Sequence, residues 1–382
     1  MNSVYASLGT TVFEVMSRLA AERGAVNLGQ GFPEEDGPRD ILEAAARATL
    51  DGPNQYPPSR GLPPLREAVA HHYKEHQGVA LDAQREITIT SGATEAIAAA
   101  LLAFIEPGDE VILFEPMYDA YLPMVRRAGG VPRIVRLHPP HWKLEREALT
   151  AAFTNKTRVV VLNTPLNPAA GVASRDELTM LAELARTHNA IVVSDEVWEH
   201  VTFDGVEHVS MLELLRDHTL KIGSAGKMFS LTGWKVGFAC GAPELMDHFA
   251  KAHQFLTFTT PPNLQRAVTY ALGKPRSYFE TMRADFQRSR DRLDSALKGE
   301  GFVTLPAKGA YFLSIDLKAS GIAMSDEAFA KHAIEHGVAT IPFSAFYVTP
   351  DPPALVRLCF AKKDETLDRA AEALARAKRA IA

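Results

Sequence analysis

The stretch KIGSAGKMFSLTGWKVGFACG, residues 221–241, sets Lys227 among small residues, with Ser224 three positions before it and Lys235 eight positions after it. A hydroxyl and a second ammonium near one lysine suit a bound phosphate monoester, with the lysine between them left free as a nucleophile. The glycines of the stretch would let the backbone come close to both. A lone lysine at a strand end is more often a solvated surface group, so the pattern carries the reading and the single residue does not. Asp195 is the second candidate. It closes the apolar run AIVVSD, where a carboxylate is costly without a cationic or donor partner. A helix cap or a structural hydrogen bond is the bland explanation of such a residue.

These groups need elements to position them. Apolar runs with strand character recur at EITITSG (86–92), DEVILFEP (109–116), RVVVLNTP (158–165), AIVVSDEVW (190–198) and LKIGSAG (220–226). Helical patterns lie between them, ATEAIAAALLAFI (93–105) and RDELTMLAELARTHN (175–189). Strands alternating with helices predict an α/β fold with a mostly parallel sheet covered on both faces. In such sheets ligands bind outside the carboxyl ends of the strands. Those ends supply Ser91-Gly92-Ala93-Thr94, Met117-Tyr118, Asn163 to Pro168, Ser194-Asp195-Glu196 and Ser224 to Lys227. SGATEA also opens a helix, where free backbone N–H groups attract phosphate.

After about residue 275 the texture changes. One long helix is expected over 277–301, then short strands at 310–317 and 354–361 with helical SDEAFAKHAIEHG between them, and a closing Ala-rich helix from Asp364. This predicts a large domain over 46–275 and a smaller α+β domain over 276–382. The N-terminal segment, 1–45, is expected to join the smaller domain and the substrate pocket.

Composition excludes several classes. The chain has 382 residues and a net charge of −5, so no basic surface points to nucleic acid. Cys240 and Cys359 lie far apart, which argues against a disulfide framework or a zinc site and for core positions. No GxGxxG follows the first strand and no GxxxxGK[ST] occurs, which disfavours dinucleotide and triphosphate sites. His72 and His76 in HHYKEH could ligate a metal, but their Lys and Glu neighbours favour a solvated helix face; no metal is expected. QYPPSRGLPPLR (55–66) reads as a structured loop rather than a polyproline ligand. No apolar run reaches the ~18 residues of a membrane span, and the N-terminus lacks signal-peptide character. A soluble cytoplasmic protein is the expectation.

Together these pieces resemble the class I/II aminotransferases, pyridoxal-phosphate enzymes of fold type I, over essentially the whole chain. SAGKMFSLTGWKVGF is similar to the family's SxxKxFxxxGxRxG pattern, NTPLNPAAG to its NxPxNPxG, VSDEV to its DEVY segment and YPPSRGLPPLR to its YxxxxGxxxLR loop. NLGQGFPE, HQFLTF, GWKVGF and VRLCFAKKDETL resemble the branch that holds kynurenine aminotransferase, glutamine transaminase K and bacterial methionine aminotransferase.

The resemblance implies that Lys227 forms the imine with the cofactor aldehyde, then moves the proton between substrate α-carbon and cofactor C4′. Asp195 would pair with the pyridine nitrogen, Asn167 with the ring's 3′ oxygen, and Tyr118 would stack on the ring. Ser224, Lys235 and the Ala93 and Thr94 backbone would hold the phosphate. Tyr56 would reach the cofactor of a neighbouring subunit, which implies a homodimer with shared sites. Arg357 would clamp the substrate carboxylate, with Asn167 beside it and Gly31 lining the pocket through its backbone. Trp198 stands where the family has tyrosine; indole N–H can donate but cannot accept.

The implied activity is transfer of the amino group of methionine, glutamine or an aromatic amino acid, including kynurenine, to a 2-oxo acid. Phe32, Tyr118, Trp198 and Phe346 could line the pocket for such donors. A β-lyase of cysteine conjugates would use the same carbanion. A succinyl-diaminopimelate transaminase would need a second cationic clamp, and the sequence alone places none. A non-catalytic regulator is the reading from another class, and an intact Lys227 and Asp195 argue against it.

Overall fold

The computed structural model describes residues 2–381. Its centre is a seven-stranded sheet of β1 (Ile87–Thr90), β2 (Glu110–Glu115), β3 (Val131–Arg136), β4 (Thr157–Asn163), β5 (Ile191–Asp195), β6 (Thr219–Ser224) and β7 (Gly237–Gly241). The spatial order is β1-β7-β6-β5-β4-β2-β3. Every pairing is parallel except the two made by β7. The strands β1, β5 and β6 are buried along their whole length, which is why they read as continuous apolar runs rather than alternating ones.

Five of the seven strands match the expected runs; β3 and β7 are corrections. β3 is an edge strand carrying Pro132 and Arg133 with a mostly exposed or half-buried side, the setting in which proline is tolerated. β7, with sequence GFACG, is built of residues with little strand character. It lies antiparallel between β1 and β6 and is held there by pairing on both sides.

Register brings the reactive ends level. Asn163 pairs with Asp195, Asp195 with Ile222, and Ser224 with Gly237. The helix Gly92–Phe104 leaves β1 at the same edge, and the helix Arg175–Thr187 is fixed by a capping box between Ser174 and Glu177. The long helix spans Arg276–Gly299. Beyond it lies an antiparallel sheet of β8 (Val303–Thr304), β9 (Phe312–Asp316), β10 (Ile341–Pro342) and β11 (Leu355–Cys359) in the order β10-β11-β9-β8. Val26–Asn27 pairs in parallel with Val338–Ala339, tying the N-terminal segment to this part of the chain. Among the described residues no helix is long and apolar enough to cross a membrane.

Cys240 and Cys359 are buried and free, as expected. His72 is a correction. It is buried, not solvated, with its Nε2 2.8 Å from Nε2 of His200 and its ring edge-on to Phe279. The helix Pro63–Gln77 turns Tyr73 and His72 inward and Lys74 and Glu75 outward, so charged neighbours in sequence do not report on the histidine's own face.

Candidate active site

Outside the carboxyl edge of the central sheet lies a recess of about 440 Å³. It is lined by Gly31, Ala93, Thr94, Tyr118, Asn167, Asp195, Trp198, Ser224, Lys227, Lys235 and Arg357. All of the sequence-predicted site residues except Tyr56 therefore meet in one place. Tyr56 stands apart, 83% exposed, its ring edge-on to Phe258. Phe32 lines the recess while Phe346 does not; Phe346 lies behind it, with its ring 5.2 Å from the Arg357 guanidinium carbon.

One end of the recess is cationic and rich in donors. The helix Gly92–Phe104 begins there, and Ser91 gives it no side-chain cap, so its first N–H groups remain open to a ligand. Lys235 holds a left-handed backbone, φ 54°, and its ammonium lies close against Gly92. Gly237 permits this approach: a β-carbon there would come within 2.8 Å of the Gly92 carbonyl carbon. Gly226 also lines the recess, while Gly223 and Gly233 serve differently, which corrects the sequence reading. A β-carbon at Gly223 would strike the Tyr73 hydroxyl on the far side of the sheet, and Gly233 has open space around it.

At the middle, Asp195 is fixed by groups that motif reading missed. Tyr121 donates to Asp195 Oδ2 at 2.6 Å, and Asn163 Nδ2 donates to the Asp195 carbonyl at 2.9 Å. Burial pushes the Asp195 carboxyl up to about 6, against the pull of the Tyr121 hydroxyl and the Val197 N–H. Lys227 faces it. Burial lowers this amine from 10.5 to about 8, so both protonation states are accessible near neutral pH. Its Nζ is 3.2 Å from the Tyr311 hydroxyl and 4.6 Å from the Trp198 ring centre.

At the other end, Arg357 is buried on β11 and donates to Asn167 Oδ1 at 2.9 Å and to the Gly29 carbonyl at 2.6 Å. Phe312 stacks on its guanidinium at 4.1 Å. Its Nε is buried and meets no partner among the described residues. Gly31 presses on Phe312: a β-carbon there would lie 2.9 Å from the ring. The spacing signal that could have found Tyr121 is its place three residues after Tyr118 on the first turn of helix Tyr121–Arg127. Tyr311 has no such signal, because its contact with Lys227 crosses from β9's approach to the end of β6.

The chain is similar to known proteins over nearly its whole length. The pattern of the family described as aminotransferase class I and II matches residues 23–374. The probable N-succinyldiaminopimelate aminotransferase of Mycobacterium tuberculosis is 43% identical over 94% of each chain. The methionine aminotransferase of Escherichia coli is 40% identical over 96% of each. The chain belongs to the class I and II aminotransferases. The solved structure of N-succinyldiaminopimelate aminotransferase from M. tuberculosis superposes on this aminotransferase with a TM-score of 0.96, covering 99% of this chain and 100% of that one. The aminotransferase has the fold type I architecture and depends on pyridoxal phosphate to move an amino group from an amino acid to a 2-oxo acid. The recess fits that cofactor. It offers an uncapped helix start beside Lys235 and Ser224 for a phosphate, a buried carboxylate for a ring nitrogen, and a lysine between them.

Proposed function

We propose that this aminotransferase takes L-amino acids with uncharged or aromatic side chains, methionine, glutamine, kynurenine and other aromatics, and delivers the amino group to a 2-oxo acid. One observation carries the reading. Among the described residues the recess holds one guanidinium, Arg357, in a lining that includes Phe13, Phe32, Tyr118, Trp198 and Phe312. Arg357 suits the α-carboxylate by a bidentate pair. The other cations of the lining, Lys227 and Lys235, are assigned to the cofactor end, which leaves no second cation among the described residues for a distal carboxylate; Asp119 is the charged group beside the aromatic walls.

In this reading Ser224, Lys235 and the N–H groups of Ala93 and Thr94 hold the phosphate, Asn167 holds the ring oxygen through its Nδ2, and Tyr118 stacks on the ring. The bound cofactor supplies an aldehyde that takes up amines and a protonated ring that draws electrons from the substrate's α-carbon. Asp195 keeps the proton on the ring nitrogen. Lys227, as a free amine, would take the proton from the substrate's α-carbon and hold it for return. Arg357 and Gly31 orient the substrate for that transfer.

The test is an absorbance titration without acceptor. Methionine, glutamine and kynurenine are expected to bleach the cofactor's visible band, and a 2-oxo acid to restore it. N-succinyl-diaminopimelate bleaching the band far better than these would overturn the donor assignment. Release of pyruvate and ammonia from a cysteine conjugate, with no acceptor present, would mark a β-lyase instead.

The role given to Asp195 predicts a pH effect. Cofactor retention weakens as pH falls through about 6, where its carboxyl takes up a proton. Tyr121→Phe removes a donor to the charged form, so the midpoint moves up by about 1 to 2 pH units, given ~1.5–3 kcal/mol for hydrogen bonds to charged groups. Equilibrium dialysis of the cofactor across pH measures it; an unmoved midpoint would remove Tyr121 from the site.

We further propose a homodimer with shared sites. Tyr56 at 83% and Phe255 at 87% exposure, with Leu256 and Phe258 beside them, leave an apolar patch that a second copy would cover. The smaller domain is proposed to join residues 276–382 with the N-terminal segment, a division supported by the pairing of Val26–Asn27 with Val338–Ala339. The divide is better set before Arg39 than at residue 45, because helix Arg39–Asp51 packs on helix Pro262–Leu272. The cytoplasm is the proposed compartment, in keeping with two free cysteines.

A further inference from the structure

The free amine of Lys227 is held by groups from three parts of the chain. Its Nζ lies 3.2 Å from the Tyr311 hydroxyl oxygen, 3.5 Å from the Gly31 carbonyl oxygen and 4.6 Å from the centre of the Trp198 ring. The Tyr311 hydroxyl has a single hydrogen, and it is donated to the Gly31 carbonyl at 2.8 Å. The lone pairs of that oxygen are what remain for Lys227, so the lysine is the donor in the 3.2 Å contact. The phenol is not free to turn away. Tyr311 is buried, with its ring edge-on to Trp198 at 4.1 Å and to Phe312 at 5.2 Å. Burial raises its ionisation well above the usual tyrosine range, so it stays a neutral oxygen and is neither base nor acid here. At position 198 an indole can donate but cannot accept, which leaves Tyr311 as the hydroxyl acceptor beside the amine among the described residues.

We propose that Tyr311 is a positioning residue for Lys227: anchored on the Gly31 carbonyl, its oxygen takes one N–H of the free amine and so aims the remaining lone pair into the recess. The inference rests on the reading of Lys227 as the group that moves the substrate proton. It also links the N-terminal segment, through Gly31, to the direction of that amine. An amine with one N–H pinned over the indole face loses the freedom to rotate out of reach of the α-carbon, and misplacement by about 1 Å can cost ~10²-fold in rate.

Tyr311→Phe tests this, because it keeps the ring and its packing and removes the oxygen alone. The single-turnover rate with methionine is expected to fall by about 10- to 100-fold, with KM changed less than about threefold. An acceptor favours the charged amine, so its loss lowers the Lys227 pKa and moves the acid limb of the pH–rate profile to lower pH. A second readout needs no turnover. In the cofactor-free full chain, the pH dependence of Lys227 acylation by acetic anhydride, followed by mass spectrometry, is expected to shift the same way. A variant with the parent's rate, pH limb and labelling midpoint would overturn the inference while leaving the proposed function intact. A parent chain that shows no cofactor band and no bleaching would overturn the reading of the site and this inference with it.

Discussion

Lys227→Ala is expected to reduce transamination by about 10⁴-fold or more while the fold persists. Two contributions vanish together, the amine that bonds to the cofactor and the group that shuttles the proton, and acid–base catalysis alone supplies ~10²–10⁴-fold. The substitution removes a side chain that lines an open recess rather than one that fills the core, so the loss is chemical. Borohydride reduction with mass spectrometry should fix the cofactor's mass to the peptide carrying Lys227 in the parent and not in the variant. If the mass is found instead on Lys235, the other lysine of the lining, the assignment of nucleophile is wrong. Stability offers a second check. In the cofactor-free chain the folded state holds this amine near 8 against an ordinary 10.5. Between those values the unfolded chain binds more protons than the folded one, so stability rises with pH through the window. Lys227→Ala should flatten that rise.

The sheet and the phosphate end of the site are legible because one physical cause writes both into the sequence. Strands buried on both faces must be apolar throughout, so β1, β2, β4, β5 and β6 stand out, and each gives way to polar residues with nowhere to go but the carboxyl edge. Lys227, Asp195, Asn167 and Ser224 can be placed on that logic before any contact is known. β7 escapes because its residues are chosen for closeness, not for strand character; Gly237 lies where a side chain would strike Gly92. The partners of the reactive groups escape for a different reason. Tyr311 meets Lys227 across 84 positions, and Tyr121 meets Asp195 across 74. No local periodicity records a contact made by tertiary packing. His72 is misplaced similarly, since the face of a helix is set by what packs on it and not by the charge of adjacent residues.

Lys221 sits in a run that reads as an apolar strand, yet its burial predicts the largest effect on stability. On the face of β6 away from the recess its ammonium is fully buried, 2.6 Å from Glu196 Oε2 and 2.6 Å from Glu199 Oε2. Gln77 accepts from it at 3.1 Å, and the Tyr73 ring lies 4.6 Å from it. Glu196 is satisfied further by the Ser194 hydroxyl at 2.8 Å, the Met211 N–H at 3.0 Å and His208 at 2.9 Å. Burial alone would push the Glu196 carboxyl up, but Lys221 and His208 outweigh it and hold it well below the usual carboxylate range. These acids with His208 could together ligate a metal, but the ammonium already sits between the carboxylates. Lys221→Met keeps the apolar stem and deletes the charge, leaving two buried carboxylates facing each other. Breaking a buried pair in this way costs about 3–5 kcal/mol, expected as a lowered urea midpoint with the slope preserved. Replacing Glu196 and Glu199 by Gln in the same chain removes the stranded charge and should recover much of that loss. A Lys221→Met chain as stable as the parent would mean that the carboxylates had taken up protons at little cost. The consequence reaches the site through register. Glu196 comes directly after Asp195, and Lys221 precedes Ser224 on the paired strand, so the ion cluster clamps the two strand ends that carry the carboxylate and the phosphate hydroxyl. Weakened cofactor retention should therefore accompany the lost stability and return with it in the triple variant.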